Sequence, residues 1–416
     1  MKKVKIVFKI FLMLILLMPL AGCWDREELE DRSYVIGLGL DKSKHKGKIR
    51  VTMLLANPEV GSLQGGGGST EKPREIITFD ANDFIAAKGT ANTIISRDIS
   101  YDLLRIIVVS EEFAKTPIFV NALSDSLKDK EIRQSTYLAV SKEKASQYFV
   151  KNKPKMETRP HKYFQYMIDH GIENGLIPDS TLFRFFKTLE RGTDLFLAMY
   201  TTASKDKNPK SKQEDEYMAG ELNAAGELDE TEFIGSAVFK NGRMIGKLTG
   251  QETRTVNILD DTTNIKDILM DVPDPFTKNK QRQFAVRIMK NENNKVKMNV
   301  IGERTRIFIT IPLKVEIMTN PSMVNYTVER NQKKIKNEIA NHIKIMNEHL
   351  FEKSQKELKG IPYPLSYFAR KYFWTNQEYR EFNWVKSFIA ADIVIKPKID
   401  IVDYGKQSTK PAKAAK

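Results

Sequence analysis

The spacing of apolar and polar residues predicts an N-terminal half in which strands and helices alternate. Short apolar and β-branched runs indicate strands, and apolar positions three or four apart indicate helices. The predicted strands are Ser33–Leu40, Ile49–Ala56, Leu103–Val109 and Ser135–Val140. The predicted helices are Asp80–Ile95, Thr116–Leu127 and Ser141–Val150, with two more between Ile168 and Leu197. Such alternation favours crossover connections and a partly parallel sheet.

The C-terminal half is predicted to be richer in strands. Asn241-Gly242 favours a type I′ turn between Phe233–Phe239 and Arg243–Leu248. We expect this hairpin to open an antiparallel meander that continues through the segments Gln283–Met289, Lys295–Ile301 and Arg304–Glu316. A long amphipathic helix, Val328–Leu358, would pack on the meander, although its apolar stripe could instead meet a partner helix or a membrane. Aromatic helices and a last strand, Ala390–Ile401, follow.

These elements predict a mixed α+β fold, with mixed sheets flanked by helices and a meander plus long helix in the second half. We predict an N-terminal α/β domain at 23–200, a polar linker at 201–231 and a C-terminal α+β region at 232–405. The C-terminal region is one domain or two subdomains that divide near 275. Residues 406–416 would be a disordered basic tail.

The first 22 residues have the three parts of a signal peptide. Four lysines among the first nine residues precede the apolar run Ile10–Leu20, which is too short for a membrane-spanning helix of about 20 residues. The sequence Leu20-Ala21-Gly22-Cys23 resembles the lipobox of bacterial lipoproteins, and Cys23 is the single cysteine of the chain. We therefore expect cleavage after Gly22 and an S-diacylglycerol and an N-acyl group on Cys23. Two or more acyl chains form a stable lipid anchor.

A formal net charge of +14 makes the chain basic. This charge would attract the protein to anionic lipid headgroups. Binding to nucleic acid is not expected, since the basic residues are scattered among acidic ones. The lysine-rich segment Lys42–Lys48 is predicted to be a solvated turn, with a lipid-facing patch as the alternative.

No arrangement of residues points to catalysis, a metal or a cofactor. His342 and His349 are seven residues apart, which is not the helical spacing of zinc pairs. The acidic residues Asp260, Asp261, Asp271 and Asp274 lack the pattern of a calcium loop and are interpreted as a solvated loop. Gly65–Gly68 are not followed by the Lys-Ser or Lys-Thr of a phosphate loop. The sequence therefore favours a protein that is not an enzyme.

Several short motifs resemble the Ger(x)C family, the lipoprotein C subunit of spore germinant receptors in Gram-positive endospore formers. They are, in chain order, Gly22–Arg26 (GCWDR), Ile36–Asp41 (IGLGLD), Arg105–Glu112 (RIIVVSEE), Lys130–Arg133 (KEIR), Gly235–Phe239 (GSAVF), Gly246–Leu248 (GKL) and Glu252–Arg254 (ETR). Together they extend over most of the chain after residue 22, which makes the combined resemblance specific.

This resemblance implies a lipid-anchored, non-enzymatic subunit on the outer leaflet of the spore inner membrane. Its partners would be the A and B membrane subunits of the receptor, and its role would be a receptor or scaffold component required for the response to nutrients. It implies a soluble part similar to three small α/β domains. The alternative is a solute-binding lipoprotein that delivers a small molecule to a transporter. The sequence does not name the germinant.

Overall fold

The computed structural model describes residues 31–405 except 57–73, 207–214, 228, 264, 267, 279–281 and 302–303, together with positions 4, 6, 8, 9 and 11. The strands of this part are β1 (Arg32–Lys42), β2 (Ile49–Ala56), β3 (Arg74–Ala81), β4 (Asp98–Ser100), β5 (Ile106–Ser110), β6 (Tyr137–Ser141), β7 (Phe196–Thr202), β8 (Glu232–Lys240), β9 (Arg243–Leu248), β10 (Ile268–Pro273), β11 (Gln283–Met289), β12 (Lys295–Ile301), β13 (Arg304–Ile317) and β14 (Asp392–Asp403). The α-helices are α1 (Phe84–Ala91), α2 (Glu111–Ala114), α3 (Ile118–Ser124), α4 (Ala145–Lys151), α5 (Pro160–Glu173), α6 (Leu182–Arg191), α7 (Gly250–Leu259), α8 (Glu329–Lys353), α9 (Leu365–Arg370), α10 (Asn376–Glu381) and α11 (Trp384–Ile389).

The first sheet runs in the order β3-β2-β1-β5-β6-β7-β8-β9, with β4 beside β1. The four central strands β1, β5, β6 and β7 are parallel, and the remaining pairs along this path are antiparallel. Helices α4 and α5 pack on one face, and α1, α2, α3 and α6 pack on the other. Apolar residues of β1 therefore enter two cores, one on each side of the sheet. The predicted mixed α+β fold with flanking helices is confirmed.

Two glycines of β1 let α4 approach the sheet closely. A Cβ atom on Gly37 would lie 2.7 Å from the Phe149 ring, and one on Gly39 would lie 3.1 Å from it. At the end of the same strand, the buried carboxylate of Asp41 accepts hydrogen bonds from the backbone N–H groups of Ala145 and Ser146, at 2.7 and 3.0 Å. These amides belong to the first turn of α4, where intrahelical acceptors are missing. The IGLGLD motif thus fixes the position of α4.

The predicted linker at 201–231 connects two neighbouring strands of one sheet. β7 and β8 pair antiparallel across it, so the first sheet contains strands from both sides of that segment. The expectation that the Phe233–Leu248 hairpin opens the meander is wrong, because β8 and β9 belong to the first sheet. The reason is packing: Phe239 contacts the rings of Phe119, Phe185 and Phe196 in the core of the first sheet.

The second sheet combines an antiparallel arrangement with one parallel strand. Both β11 and β12 pair antiparallel with the long strand β13, and β10 pairs with β11. The last strand, β14, runs parallel to β13. The predicted apolar stripe of α8 is buried in the core beside this sheet, at Ile335, Ile339, Ile343, Met346 and Leu350. Packing within the protein is therefore the correct interpretation of that stripe.

The acidic stretch is part of the folded core and not a solvated loop. Asp271 lies in β10, and Asp260 and Asp274 are buried. The Asp274 carboxylate accepts a hydrogen bond from the Tyr326 hydroxyl at 2.9 Å. Hydrogen bonding of this kind offsets the cost of burying a carboxylate.

Candidate functional site: a cleft between the two sheets

The predicted lipid-anchor residues Leu20, Ala21, Gly22 and Cys23 lie outside the described residues, so the anchor stays a prediction. The described part of the chain contains no helix long and apolar enough to cross a membrane. It also contains no group of three or more His, Cys, Asp or Glu residues that could hold a metal ion.

Motif residues from distant parts of the sequence meet in the structure. The hydroxyl groups of Ser236, from GSAVF, and Thr253, from ETR, are buried and 2.7 Å apart. Glu111, from RIIVVSEE, accepts hydrogen bonds from the Tyr200 hydroxyl at 2.7 Å and from Lys247 of the GKL motif at 3.3 Å. Burial opposes ionisation of Glu111, yet its hydrogen bonds with Lys115 and Tyr200 lower its pKa overall.

The ETR motif also links α7 to its surroundings. Glu252 completes a capping box with Thr249 at the start of α7, and its carboxylate lies 2.7 Å from Nζ of Lys353 at the end of α8. The buried guanidinium of Arg254 is 2.9 Å from Oδ2 of Asp215. These motif side chains hold segments of the fold together, because their polar atoms bond to other groups of the protein.

A cleft of about 710 Å³ opens where the first sheet meets the second core. One wall is α6, with Phe183, Arg184 and Lys187, and another is α9, with Tyr367 and Phe368. The aromatic rings on both walls are covered by lysines: Nζ of Lys187 lies 5.2 Å from the Phe183 ring centre, and Nζ of Lys371 lies 5.2 Å from that of Phe368.

Asp194 is a half-buried residue in the lining of this cleft. Its Oδ2 accepts a hydrogen bond from the Ser366 hydroxyl, while Oδ1 is buried without a partner among the described residues. Burial raises the pKa of Asp194 to about 6, against the lowering effect of Ser366 and Arg191. The buried hydroxyl of Tyr363 also lacks a partner in the described part of the chain, and burial together with Asp194 raises its pKa well above the usual value.

The segment around Asp194 joins the two halves of the protein. The backbone N–H of Leu195 donates to the carbonyl of Ile361 at 2.6 Å. A Cβ atom on Gly360 would lie 2.7 Å from the Leu195 side chain, so only glycine fits this approach without a shift. At the rim of the cleft, Arg184 lies 3.0 Å from Asp179 and 3.2 Å from Asp260, which braces α6 against the end of α7.

Sequence reasoning missed Asp194, Ser366 and Tyr363 because no motif spacing marks them. The sequence does contain one partial signal for Asp194: this acidic residue stands directly before the apolar run Leu195–Met199. A charged residue in such a position must remain at the surface or find a polar partner inside the protein. The partner, Ser366, lies 172 positions away in the sequence. Only the folded chain brings the two together.

Comparisons with known proteins agree with the architecture. Residues 25–202 match the family described as the spore germination protein N-terminal domain, and residues 234–405 match the family described as spore germination B3/GerAC like, C-terminal. The fold is similar to that in the "Crystal Structure of the GerBC protein", with a TM-score of 0.53 and 16% identity over 91% of this chain and 100% of that chain.

Curated relatives match over shorter stretches. Spore germination protein KC of Bacillus subtilis (strain 168) is 28% identical over 32% of this chain and 33% of its own length. Spore germination protein B3 of the same organism is 25% identical over 41% of this chain and 44% of its own length. These matches cover less than half of each relative, whereas the two family matches together cover most of this chain. The chain belongs to the Ger(x)C family of spore germination proteins.

Proposed function

We propose that the protein is the lipid-anchored C subunit of a spore germinant receptor and acts as a non-enzymatic scaffold beside the A and B membrane subunits. The observation that carries the proposal is the succession of both family regions along one chain, 25–202 and 234–405. The leader and Cys23 support export and acylation, which would place the protein on the outer leaflet of the spore inner membrane. A scaffold role is supported by the motif side chains, whose bonds hold segments of the fold together.

A second candidate, solute capture for a transporter, is favoured by the cleft that contains Asp194. A binding lipoprotein of that kind usually has two similar, doubly wound lobes. Here the two sheets differ in strand number and in the direction of their strands. The carboxylate of Asp194 is also already engaged by Ser366. We therefore expect no useful affinity of the isolated chain for a nutrient.

Deletion of the gene tests the receptor role. Spores that lack the protein should fail to respond to the nutrient that this receptor detects, and a copy of the gene at another locus should restore the response. A strain in which the other germinant receptors are also deleted removes overlap between receptors. Normal germination of the deletion spores in that background would reject the proposal.

Two further measurements separate the candidates. Co-purification from spore membranes should recover A and B subunits, whereas an ABC transporter as the associated protein would favour solute capture. Calorimetry with amino acids, sugars and nucleosides should show no binding to the chain alone. A micromolar Kd would favour solute capture, with Asp194→Asn as the variant that tests whether the cleft is the site.

A further inference from the structure

The proposed anchor restricts which end of the first sheet can approach a bilayer. Nine peptide units separate Cys23 from Arg32, the first residue of β1. Even fully extended, they reach about 30 Å. β1 has eleven residues, which carry the chain about 33 Å further to the Lys42–Lys48 turn. The tether is therefore attached at the start of β1, about one strand length from the lysine-rich turn.

Residues from three parts of the sequence surround the start of β1. Arg32 lies 2.8 Å from Asp102, and the N–H of Arg105 donates to the carbonyl of Ile36 at 2.9 Å. On the other side of β1, Tyr34 pairs with Ala56 of β2, and Ala56 in turn pairs with Arg74 of β3. Arg74 therefore lies at the same end of the sheet as the start of β1.

The loop after α4 reaches the same end of the sheet. The Arg74 guanidinium donates to Oδ1 of Asn152 at 3.2 Å, which places the beginning of that loop beside the first residues of β3. The loop continues from residue 153 to the first turn of α5 at residue 162. Its far end returns to the same place, since the Asn152 amide donates to the hydroxyl of Tyr163, the residue after Lys162, at 3.2 Å.

This loop carries an excess of positive charge. Lys153, Lys155 and Lys162 make no ion pair among the described residues, while the acidic Glu157 is held by Arg159 at 2.8 Å. The neighbouring Asp229 accepts hydrogen bonds from Asn152 and from the N–H of Lys153. Partial burial, followed by the charges of Arg159, Lys162 and Arg105, lowers the pKa of His161. The three lysines that have no ion pair in the described part of the chain outnumber the acidic side chains of this loop, since its one acidic residue, Glu157, is already paired with Arg159.

Apolar side chains project from the same surface. Met156, between Lys155 and Glu157, is 88% exposed, and Leu103 is 48% exposed. Basic residues attract a protein to anionic headgroups, and exposed apolar side chains enter the boundary between headgroups and acyl chains. Both features occur here at the end of the sheet where the tether arrives.

We infer that this entry face, formed by Leu103, Arg105, Lys153, Lys155, Met156 and Lys162, rests on anionic lipid headgroups of the bilayer. The inference deepens the proposed lipid-anchored function and rests on it. It sets the orientation of the protein: the entry face is turned to the membrane, and the Lys42–Lys48 turn is directed away from it.

Vesicle flotation tests the entry face without the acyl anchor. The mature chain with Cys23→Ala is mixed with phosphatidylcholine vesicles that contain about a third phosphatidylglycerol, and with pure phosphatidylcholine vesicles. We expect binding to the anionic vesicles alone, and its loss when salt is raised from about 50 to about 500 mM. Absence of binding to anionic vesicles at low salt would overturn the inference.

Two triple variants with the same charge change locate the contact. Lys153→Glu/Lys155→Glu/Lys162→Glu should weaken binding roughly tenfold or more, and Lys44→Glu/Lys46→Glu/Lys48→Glu by less than about threefold. Equal losses in the two variants would show that net charge alone drives binding. Circular dichroism melts of both variants verify folding. If the lysine variants do not separate in vesicle binding while the deletion strain shows the receptor phenotype, the orientation is rejected and the proposed function is retained.

Discussion

The hydroxyl of Ser366 donates a hydrogen bond to the carboxylate of Asp194, which ties the chain two residues before β7 of the first sheet to α9 beside the second core. The carboxylate has one oxygen without a partner in the described part of the chain. The charged form of Asp194 is therefore poorly compensated. This makes the junction between the two halves of the protein sensitive to pH.

We predict that ionisation of Asp194 lowers the free energy of unfolding as the pH rises. Its folded pKa of about 6 exceeds its ordinary value of 3.8, so the favourable contribution is complete below about pH 4 and is lost between about pH 4 and 6. Above pH 6 the cost of the buried charge is at most about 3 kcal/mol. Asp194→Asn should remove this pH dependence and stabilise the protein at pH 7.5 relative to the parent.

Urea unfolding at pH 5 and pH 7.5 measures this difference. Glu190→Gln, on the exposed side of α6, is the matched control and should leave the free energy of unfolding within about 0.5 kcal/mol at both values. If Asp194→Asn destabilises the protein equally at both pH values, the charged carboxylate carries no net cost and the prediction is wrong.

Asp41→Ala should destabilise the first sheet by about 1–3 kcal/mol, because two backbone N–H groups of α4 would lose their acceptor. Lys42→Ala changes the exposed neighbour and serves as the control. Urea unfolding followed by circular dichroism gives both free energies. Equal stability of the Asp41→Ala variant and the parent would mean that water replaces the carboxylate at no cost.

Truncation of two tryptophans ten residues apart should change the free energy of unfolding by very different amounts. Trp384 is 2% exposed and packs near Phe388 in the second core, whereas Trp374 is 96% exposed. Trp384→Ala should cost about 3–5 kcal/mol, and Trp374→Ala no more than about 0.5 kcal/mol. Thermal and urea unfolding test the pair. A large loss for Trp374→Ala would require a contact of this side chain within the protein.

Cys23→Ala should leave a folded protein that washes off membranes at about 0.5 M salt, because the salt screens the remaining attraction of basic residues to headgroups. The acylated parent should stay, since each buried CH₂ contributes about 0.8 kcal/mol to binding. Fractionation of spore membranes with immunodetection is the measurement. Full retention of the variant at high salt would mean that contacts with other proteins, not lipid, hold the chain at the membrane.

The sequence by itself determined the elements whose signals are local. The strands Ile49–Ala56, Gln283–Met289 and Lys295–Ile301 have the predicted bounds, and the stripe of α8 faces the core as its period predicts. Periodicity and turn residues act over a few neighbours, so they can be read without knowing the rest of the fold.

Elements whose character depends on distant partners were missed. Strand β7 is not predicted, because it is buried along its whole length and so lacks alternation; the helices predicted between Ile168 and Leu197 overlap only its first two residues. Asp271 and Pro273 make the sequence of β10 typical of a loop, although the segment is a strand. Strand β3 and helix α7 were also not predicted.

Tertiary structure alone decided which sheet receives the β8–β9 hairpin and which residues form the cleft. The hairpin joins the first sheet because Phe239 fits among aromatic rings from α3, α6 and β7. The contact of Asp194 with Ser366 likewise spans 172 positions. Burial and hydrogen bonding between such distant segments depend on the packed chain, and no local pattern in the sequence encodes them.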